Sequence, residues 1–137
     1  MNSIQVIIVP PGEAAYASTY IDFEHVKRNM FGDACVLGFT AHFPKLYRKG
    51  VRYEYYENNE YSEKKIQPNR AVYNEDDSLY DVLYGKAIVL KYFKNKLTSL
   101  DFEECTYILK HLNSVKCDPW MDIRNEIASR KVEEDKE

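Results

Sequence analysis

The chain of 137 residues has a formal charge of −3 and is 45% hydrophobic, which suits one small domain around a single core. The acidic balance gives no general attraction to nucleic acid, and no apolar run reaches the roughly 20 residues that cross a bilayer. We therefore expect a single domain over residues 1–130, a charged and disordered tail over residues 131–137, and a cytoplasmic protein that does not enter a membrane.

In the first half of the chain, strand and helix signals alternate. The apolar run Ile4–Val9 (IQVIIV) predicts a buried strand. Asp22 is placed to cap a helix that starts at the next residue, and Gly32 is placed to end it. Residues 34–39 (ACVLGF) predict a second strand, and residues 51–56 (VRYEYY) alternate as a strand with one wet face does.

The middle of the chain is polar before it becomes strongly apolar. Residues 57–65 predict a solvated loop, and residues 66–73 predict a short extended segment. Residues 74–78 (NEDDS) offer several caps for a short helix that continues through Leu83. Residues 86–93 (KAIVLKYF) are dense in β-branched and aromatic side chains, so they predict the central strand of the sheet.

Two helices are predicted towards the end of the chain. The first has Thr98 or Ser99 as its cap and runs to about Leu112. Its predicted buried stripe consists of Phe102, Cys105, Ile108, Leu109 and Leu112. The second begins with Asp118 as its cap and Pro119 at its first position. The fold class is therefore α+β, with a mixed or mainly antiparallel sheet of about four to five strands and two to four helices packed on it.

Metal-binding side chains show no recognisable spacing. The three cysteines form no CxxC pair, and the three histidines form neither an HxH nor an HExxH pattern. We therefore expect no metal ion and no other cofactor. Cys35 and Cys105 are expected to be buried thiols, with Cys117 more exposed, in a reducing compartment.

Two loops carry groups that could bind an anion. Gly12 and Glu13 follow the first strand in the sequence PPGE, where backbone N–H groups could face a phosphate; a plain turn is the alternative. In the sequence QPNR, Asn69 tolerates unusual backbone angles and Arg70 offers a forked donor for carboxylate or phosphate. The alternative for Arg70 is an ion pair with a nearby acid such as Asp81.

Cations and aromatic rings are interleaved in residues 45–56. Arg48, Arg52, Tyr53 and Tyr55 place positive charge beside stacking faces, as a binder of single-stranded nucleic acid or of a base would. A solvated strand face is the alternative. Interleaved glutamates dilute the charge, which disfavours nucleic acid as the partner.

Four short motifs occur in a characteristic order. They are VIIVPPGE at 6–13, QPNRAVY at 67–73, YDVLYGKAIVL at 80–90 and LTSLDFEE at 97–104. In this order they resemble the DUF3846 domain, a family of small proteins of bacteriophages and other mobile elements. The chain departs from that pattern at residues 31–34, where the family more often has a paired glycine, and by its additional helix near Pro119. The resemblance implies an origin in a phage or mobile element, hence the cytoplasm of a host, and transfers no activity.

The residues favour a binding protein over an enzyme. We expect a non-enzymatic protein that occupies a host protein or sequesters a small nucleotide signal, as an anti-defence protein would. One alternative is an enzyme acting on a nucleotide or phosphoester, with Arg70 as charge clamp and Asp81 or Glu13 as general base. Another is a nucleic-acid-binding protein that uses residues 45–56. A homodimer could form if residues 51–56 are an edge strand that pairs with its symmetry mate.

Overall fold

The structure is a computed structural model and describes residues 3–32, 36–58, 68–74, 76 and 78–114. A short 3-10 turn occupies Pro44–Leu46. The strands and α-helices in these ranges are β1 Ile4–Val9, β2 Tyr16–Tyr20, α1 Phe23–Phe31, β3 Val36–Ala41, β4 Val51–Asn58, β5 Pro68–Tyr73, β6 Leu79–Tyr84, β7 Ala87–Phe93, β8 Lys96–Thr98 and α2 Phe102–Leu112. The predicted α+β class is confirmed.

The main sheet is antiparallel, with the strand order β2-β1-β7-β4-β3 and with β8 paired to the end of β7. Strand β7 is central, as its composition predicts, and residues 87–90 are fully buried. Strand β4 lies between β7 and β3. The prediction that residues 51–56 form a free edge strand is therefore wrong, because both sides of β4 are already paired.

Helices cover the two faces of this sheet. Alternate side chains of a strand point to opposite faces, so Val89 of β7 joins a core with α2 and the β5–β6 hairpin, whereas Ile88 joins a second core with α1. Ile108 anchors α2 in the first core, and Val26 anchors α1 in the second. The protein is thus a sheet between α1 on one side and α2 with the hairpin on the other.

The β5–β6 hairpin is fastened to the main sheet by a buried amide. The side chain of Asn69 donates to the carbonyl of Val9 at 2.7 Å and to the carbonyl of Gly85 at 2.8 Å. Nearby, the backbone N–H of Tyr84 donates to Glu57 Oε2 at 2.8 Å. These bonds supply partners to buried polar groups that would otherwise lose their hydration.

Several local predictions are confirmed. Strand β1 has the predicted bounds, and α1 starts after Asp22, whose Oδ1 accepts from the N–H of His25 at 2.8 Å. The helix ends at Gly32, whose φ of 61° lies in the left-handed region that glycine adopts without a Cβ clash. Cys105 is buried as predicted, and burial raises the pKa of its thiol above the ordinary value.

The short helix predicted from residues 74–78 through Leu83 is wrong, because Leu79–Tyr84 form strand β6, which pairs antiparallel with β5. The N–H of Asn74 donates to the carbonyl of Ser78 at 2.9 Å, and the N–H of Ser78 donates to Asp76 Oδ1 at 3.0 Å. Asn, Asp and Ser favour both helix caps and turns, because their short polar side chains form hydrogen bonds with nearby backbone groups. Strands β2 and β8 are not predicted by the sequence at all.

The cap of α2 is Asp101, so the prediction of Thr98 or Ser99 is wrong. Ser99 Oγ accepts from the N–H of Gln5 at 2.8 Å, and the N–H of Leu100 donates to the carbonyl of Gln5 at 3.0 Å, so this stretch extends the sheet. The helix begins at Phe102, whose side chain is exposed and does not belong to the predicted buried stripe.

Some predictions lie outside the described residues. They concern Cys35 and Cys117, the solvated loop beyond Asn58, the helix that begins after Asp118, and the tail at residues 131–137. In the part of the chain that is described, no helix combines the length and the apolar character needed to span a bilayer.

Candidate functional site

A buried charged group joins α2 to the sheet. Glu104 of α2 is fully buried, and its Oε1 accepts from Lys91 Nζ of β7 at 2.7 Å. Its Oε2 accepts from the hydroxyl of Tyr53 of β4. A carboxylate taken out of water needs such partners, because an isolated buried charge is strongly unfavourable. The group therefore fixes the position of α2 on the sheet.

The same glutamate also completes the cap of α2. The N–H of Asp101 donates to Glu104 Oε1 at 2.9 Å, and the N–H of Glu104 donates to Asp101 Oδ1 at 2.7 Å. This reciprocal pair is a capping box, which satisfies open N–H groups of the first helical turn.

Burial raises the pKa of Tyr53 above its ordinary value, and its hydrogen bond to Glu104 adds to the rise. Tyr53 is therefore a hydrogen-bond donor here rather than an acid.

Arg48 connects the chain after the 3-10 turn to the first turn of α2. Its Nη1 lies 3.4 Å from Asp101 Oδ2, and its Nη2 lies 3.3 Å from Glu103 Oε2. The N–H of Glu104 holds the pKa of Asp101 below its ordinary value. Arg48 thus bonds two carboxylates at the helix start, where negative charge is also favoured by the helix dipole.

These contacts support an exposed corner between the 3-10 turn and α2. We call it the corner surface, and its residues are Lys45, Phe102, Glu103, Thr106 and Lys110. An open groove of about 490 Å³ runs along it, with Leu46 and Tyr107 contributing to its apolar floor. A second open groove of about 490 Å³ has His42, Tyr47 and Arg52 in its lining.

The corner surface displays an aromatic ring to solvent. Phe102 is 86% exposed, more than any other large hydrophobic side chain in the described part of the chain. Tyr47, which lines the second groove, is 79% exposed. Lys45 and Lys110 are also exposed and line the same groove. The arrangement combines apolar anchors with positive charge, which are the contacts that a protein segment of opposite character could use.

The structure separates the cations and rings predicted to act together in residues 45–56. Tyr53 and Tyr55 are only 4% and 2% exposed, so both rings belong to the core. The guanidinium of Arg52 lies 4.5 Å from the centre of the Tyr92 ring, on the opposite face of the sheet. Tyr53 and Tyr55 are therefore not available as stacking faces for bases.

The other predicted binding residues are dispersed as well. Asn69 is fully buried and uses its amide group on the carbonyls of Val9 and Gly85, so its role is to hold the hairpin. Gly12 and Glu13 lie in the turn between β1 and β2, where Glu13 is exposed. The side chains of Arg70 and Asp81 are outside the described part of the structure.

Sequence reasoning named Arg48 and Tyr53, in another role, and missed the other residues that build this site. The pattern Asp101-x-x-Glu104 before an apolar stripe is a capping-box signal and could have been used. Lys91, a charge inside the most apolar strand, was a signal for a buried partner. Nothing local marks Phe102 as exposed, because its exposure depends on how α2 is rotated on the sheet.

Comparisons with known proteins add no assignment. No family model matches the chain, and neither the curated proteins nor the solved structures contain a match. The resemblance in motif order therefore stays a prediction. Within the described residues, no group of three or more His, Cys, Asp and Glu side chains could hold a metal ion.

Proposed function

We propose that this chain is a non-enzymatic binding protein and that its corner surface binds a segment of a protein partner. That segment carries acidic residues together with one or two large apolar residues that anchor it. The observation that carries the proposal is the exposure of Phe102 beside an open groove whose apolar floor includes Leu46 and Tyr107. An exposed aromatic side chain that continues the apolar floor of a groove marks a contact surface more often than an isolated one does. Aromatic anchors also supply much of the binding energy at protein interfaces.

The charge of the groove supports an acidic partner. Lys45 and Lys110 line it and form no ion pair with any side chain in the described part of the chain. Glu103 is engaged by Arg48, so its charge is partly neutralised. The positive charge of these two lysines contrasts with the formal charge of −3 on the whole chain. Complementary charge raises the rate of encounter and excludes partners of the wrong sign.

The shape of the groove favours a protein segment over a small nucleotide. Sites for small molecules are concave and bury most of the ligand, whereas this groove is open along α2. The buried Lys91–Glu104 pair holds α2 in place beneath the groove. A platform that is already ordered loses little conformational entropy when a partner binds.

A library of random peptides displayed for selection tests the proposal. We expect the protein to select peptides that combine Asp or Glu with one or two large apolar residues. Binding of these peptides should weaken at least about tenfold in Phe102→Ala, because an anchor side chain is lost. Ile21→Ser, which removes an exposed apolar side chain far from the groove, is the matched control and should bind normally. Selection of no peptide family, or of peptides indifferent to Phe102→Ala, would contradict the proposal.

The resemblance in motif order supplies only a biological setting, an origin in a phage or mobile element. In that setting, the form that we propose for this function is occupation of a host protein, as an anti-defence protein would do. A segment of that host protein would be the acidic partner.

A further inference from the structure

Strand β2 is an edge of the main sheet, and its outward-facing backbone groups can be identified. Gln5 of β1 directs its N–H to Ser99 Oγ and accepts from Leu100 through its carbonyl, both on the side away from β2. Gln5 is the register partner of Thr19. In an antiparallel pair such a position is not hydrogen-bonded between the strands. The N–H and C=O of Thr19 therefore point away from β1.

Ala15, just before β2, shows independently that the backbone groups of every second residue point away from β1. Asn113, after α2, accepts from the N–H of Ala15 at 2.7 Å and donates to the carbonyl of Ala15 at 3.1 Å. Its side-chain amide thus occupies the position of a neighbouring strand at Ala15. Ala17, two residues later, faces the same way as Ala15 and Thr19. Among the described residues, no group bonds the outward N–H and C=O of Ala17 and Thr19.

In the described part of the chain, this edge beyond Ala15 lacks the features that protect edge strands. Residues 14–21 (AAYASTYI) contain no charged residue, no proline and no glycine. Natural edges usually carry a lysine, a proline, a bulge or a covering element. Tyr16 is 50% exposed and Ile21 is 53% exposed at this edge. The opposite edge differs, because the hydroxyl of Tyr80 donates to the carbonyl of Thr40 in β3.

We propose that two copies of the chain pair antiparallel through β2, with a twofold axis beside Ser18. This register places Ala17 opposite the partner's Thr19, so that both outward positions exchange N–H···O=C bonds. A shift of the register towards the strand start would require the N–H and C=O of Ala15 to bond the partner strand, but Asn113 already bonds both groups. A shift towards the strand end would require the N–H of Ile21 to bond the partner strand, but that N–H is directed to His25.

The side chains suit self-pairing. Tyr16 and Tyr20 lie on the α1 face of β2, since they pair with Ile8 and Ile4 of β1. In the proposed register Tyr16 faces the partner's Tyr20 across the axis, and aromatic cross-strand pairs stabilise antiparallel strands. An uncharged strand also meets its own copy without like-charge repulsion.

Charge exchange at Ser18 tests this dimer. Sedimentation velocity over a concentration series should show the wild-type chain passing from monomer to dimer. Ser18→Lys and Ser18→Asp should each raise the dissociation constant at least about tenfold, because like charges would lie directly opposite at the axis. An equimolar mixture of the two variants should dimerise again, which also demonstrates that both are folded.

Ser18→Thr serves as the matched neutral control and should dimerise like the wild-type chain. Thr19→Pro gives a second disruption, because it removes an outward N–H that β1 does not use. The proposal is overturned if the wild-type chain stays monomeric up to its highest soluble concentration. It is equally overturned if Ser18→Lys and Thr19→Pro dimerise like the wild-type chain.

Discussion

Among single residues, Glu104 has the largest expected effect on stability, because it is fully buried and bonds Lys91, Tyr53 and the start of α2. We expect Glu104→Gln to lower the free energy of unfolding by about 3–5 kcal/mol, since Lys91 would remain buried without a counter-charge. Urea denaturation followed by circular dichroism measures this change.

The matched control is the double variant Lys91→Met with Glu104→Gln. The glutamine can still form the capping box, and the methionine removes the unpaired charge, so most of the stability should return. A double variant as unstable as Glu104→Gln alone would show that the ion pair is not the cause of the loss.

Asp101 gives a pH-dependent contribution to stability. Its pKa in the folded protein is below the ordinary value because it accepts from the N–H of Glu104. Its contribution is therefore fully present above the unfolded-state pKa and is lost as the pH falls through the folded-state pKa. At neutral pH, Asp101→Ala should cost about 1 kcal/mol of unfolding free energy.

Asp101→Asn separates the cap from the charge, since its amide oxygen still accepts from the helix N–H group. Thermal unfolding from pH 7 down to pH 3 should show a smaller loss for Asp101→Asn than for the wild-type chain. Equal slopes in the two proteins would contradict the assigned role of Asp101.

At the scale of elements, the β5–β6 hairpin depends on Asn69. Asn69→Ala would leave the carbonyls of Val9 and Gly85 without their buried donor, so we expect a loss of about 1–3 kcal/mol. Amide hydrogen exchange should accelerate most in β5 and β6. Asn29→Ala, which removes an exposed bond to Tyr20, is the control and should leave the hairpin unchanged. Uniform acceleration throughout the chain would argue against a local anchor.

The elements also show what the sequence can predict. Strand β1, helix α1 with its Asp22 cap and the central strand β7 follow from signals within a few residues of each other. Strand β6 was mistaken for a helix because residues 74–78 suit a cap and a turn equally well. Pairing with β5 makes residues 79–84 a strand, and this pairing is not visible in the residues next to them in the sequence.

The candidate site was less predictable than the fold for the same reason. Tyr53, Lys91 and Glu104 lie on three separate elements and meet only after the sheet and α2 have packed. Arg52 and Tyr53, adjacent in sequence, end on opposite faces of β4 because side chains alternate along a strand. A pattern of mixed cations and rings therefore did not predict one surface.

On the scale of the whole molecule, the corner surface and the β2 edge are separate features. Phe102 lies at the start of α2 and the groove runs along the helix to Lys110, whereas β2 contacts Asn113 beyond the helix end, so the two features share no residue. A dimer through β2 would therefore leave both corner surfaces free and present two binding sites per particle. Two linked sites would strengthen attachment to a partner that carries repeated acidic segments.

Calorimetric titration with a matched pair of peptides tests the central claim most directly. The pair consists of the best acidic peptide from the selection and a version in which each Asp and Glu is replaced by Lys. We expect the wild-type chain to bind the acidic peptide, and the double variant Lys45→Glu with Lys110→Glu to lose at least about tenfold in affinity for it and to bind the lysine version instead. Unchanged affinity of the double variant for the acidic peptide would contradict binding at the corner surface.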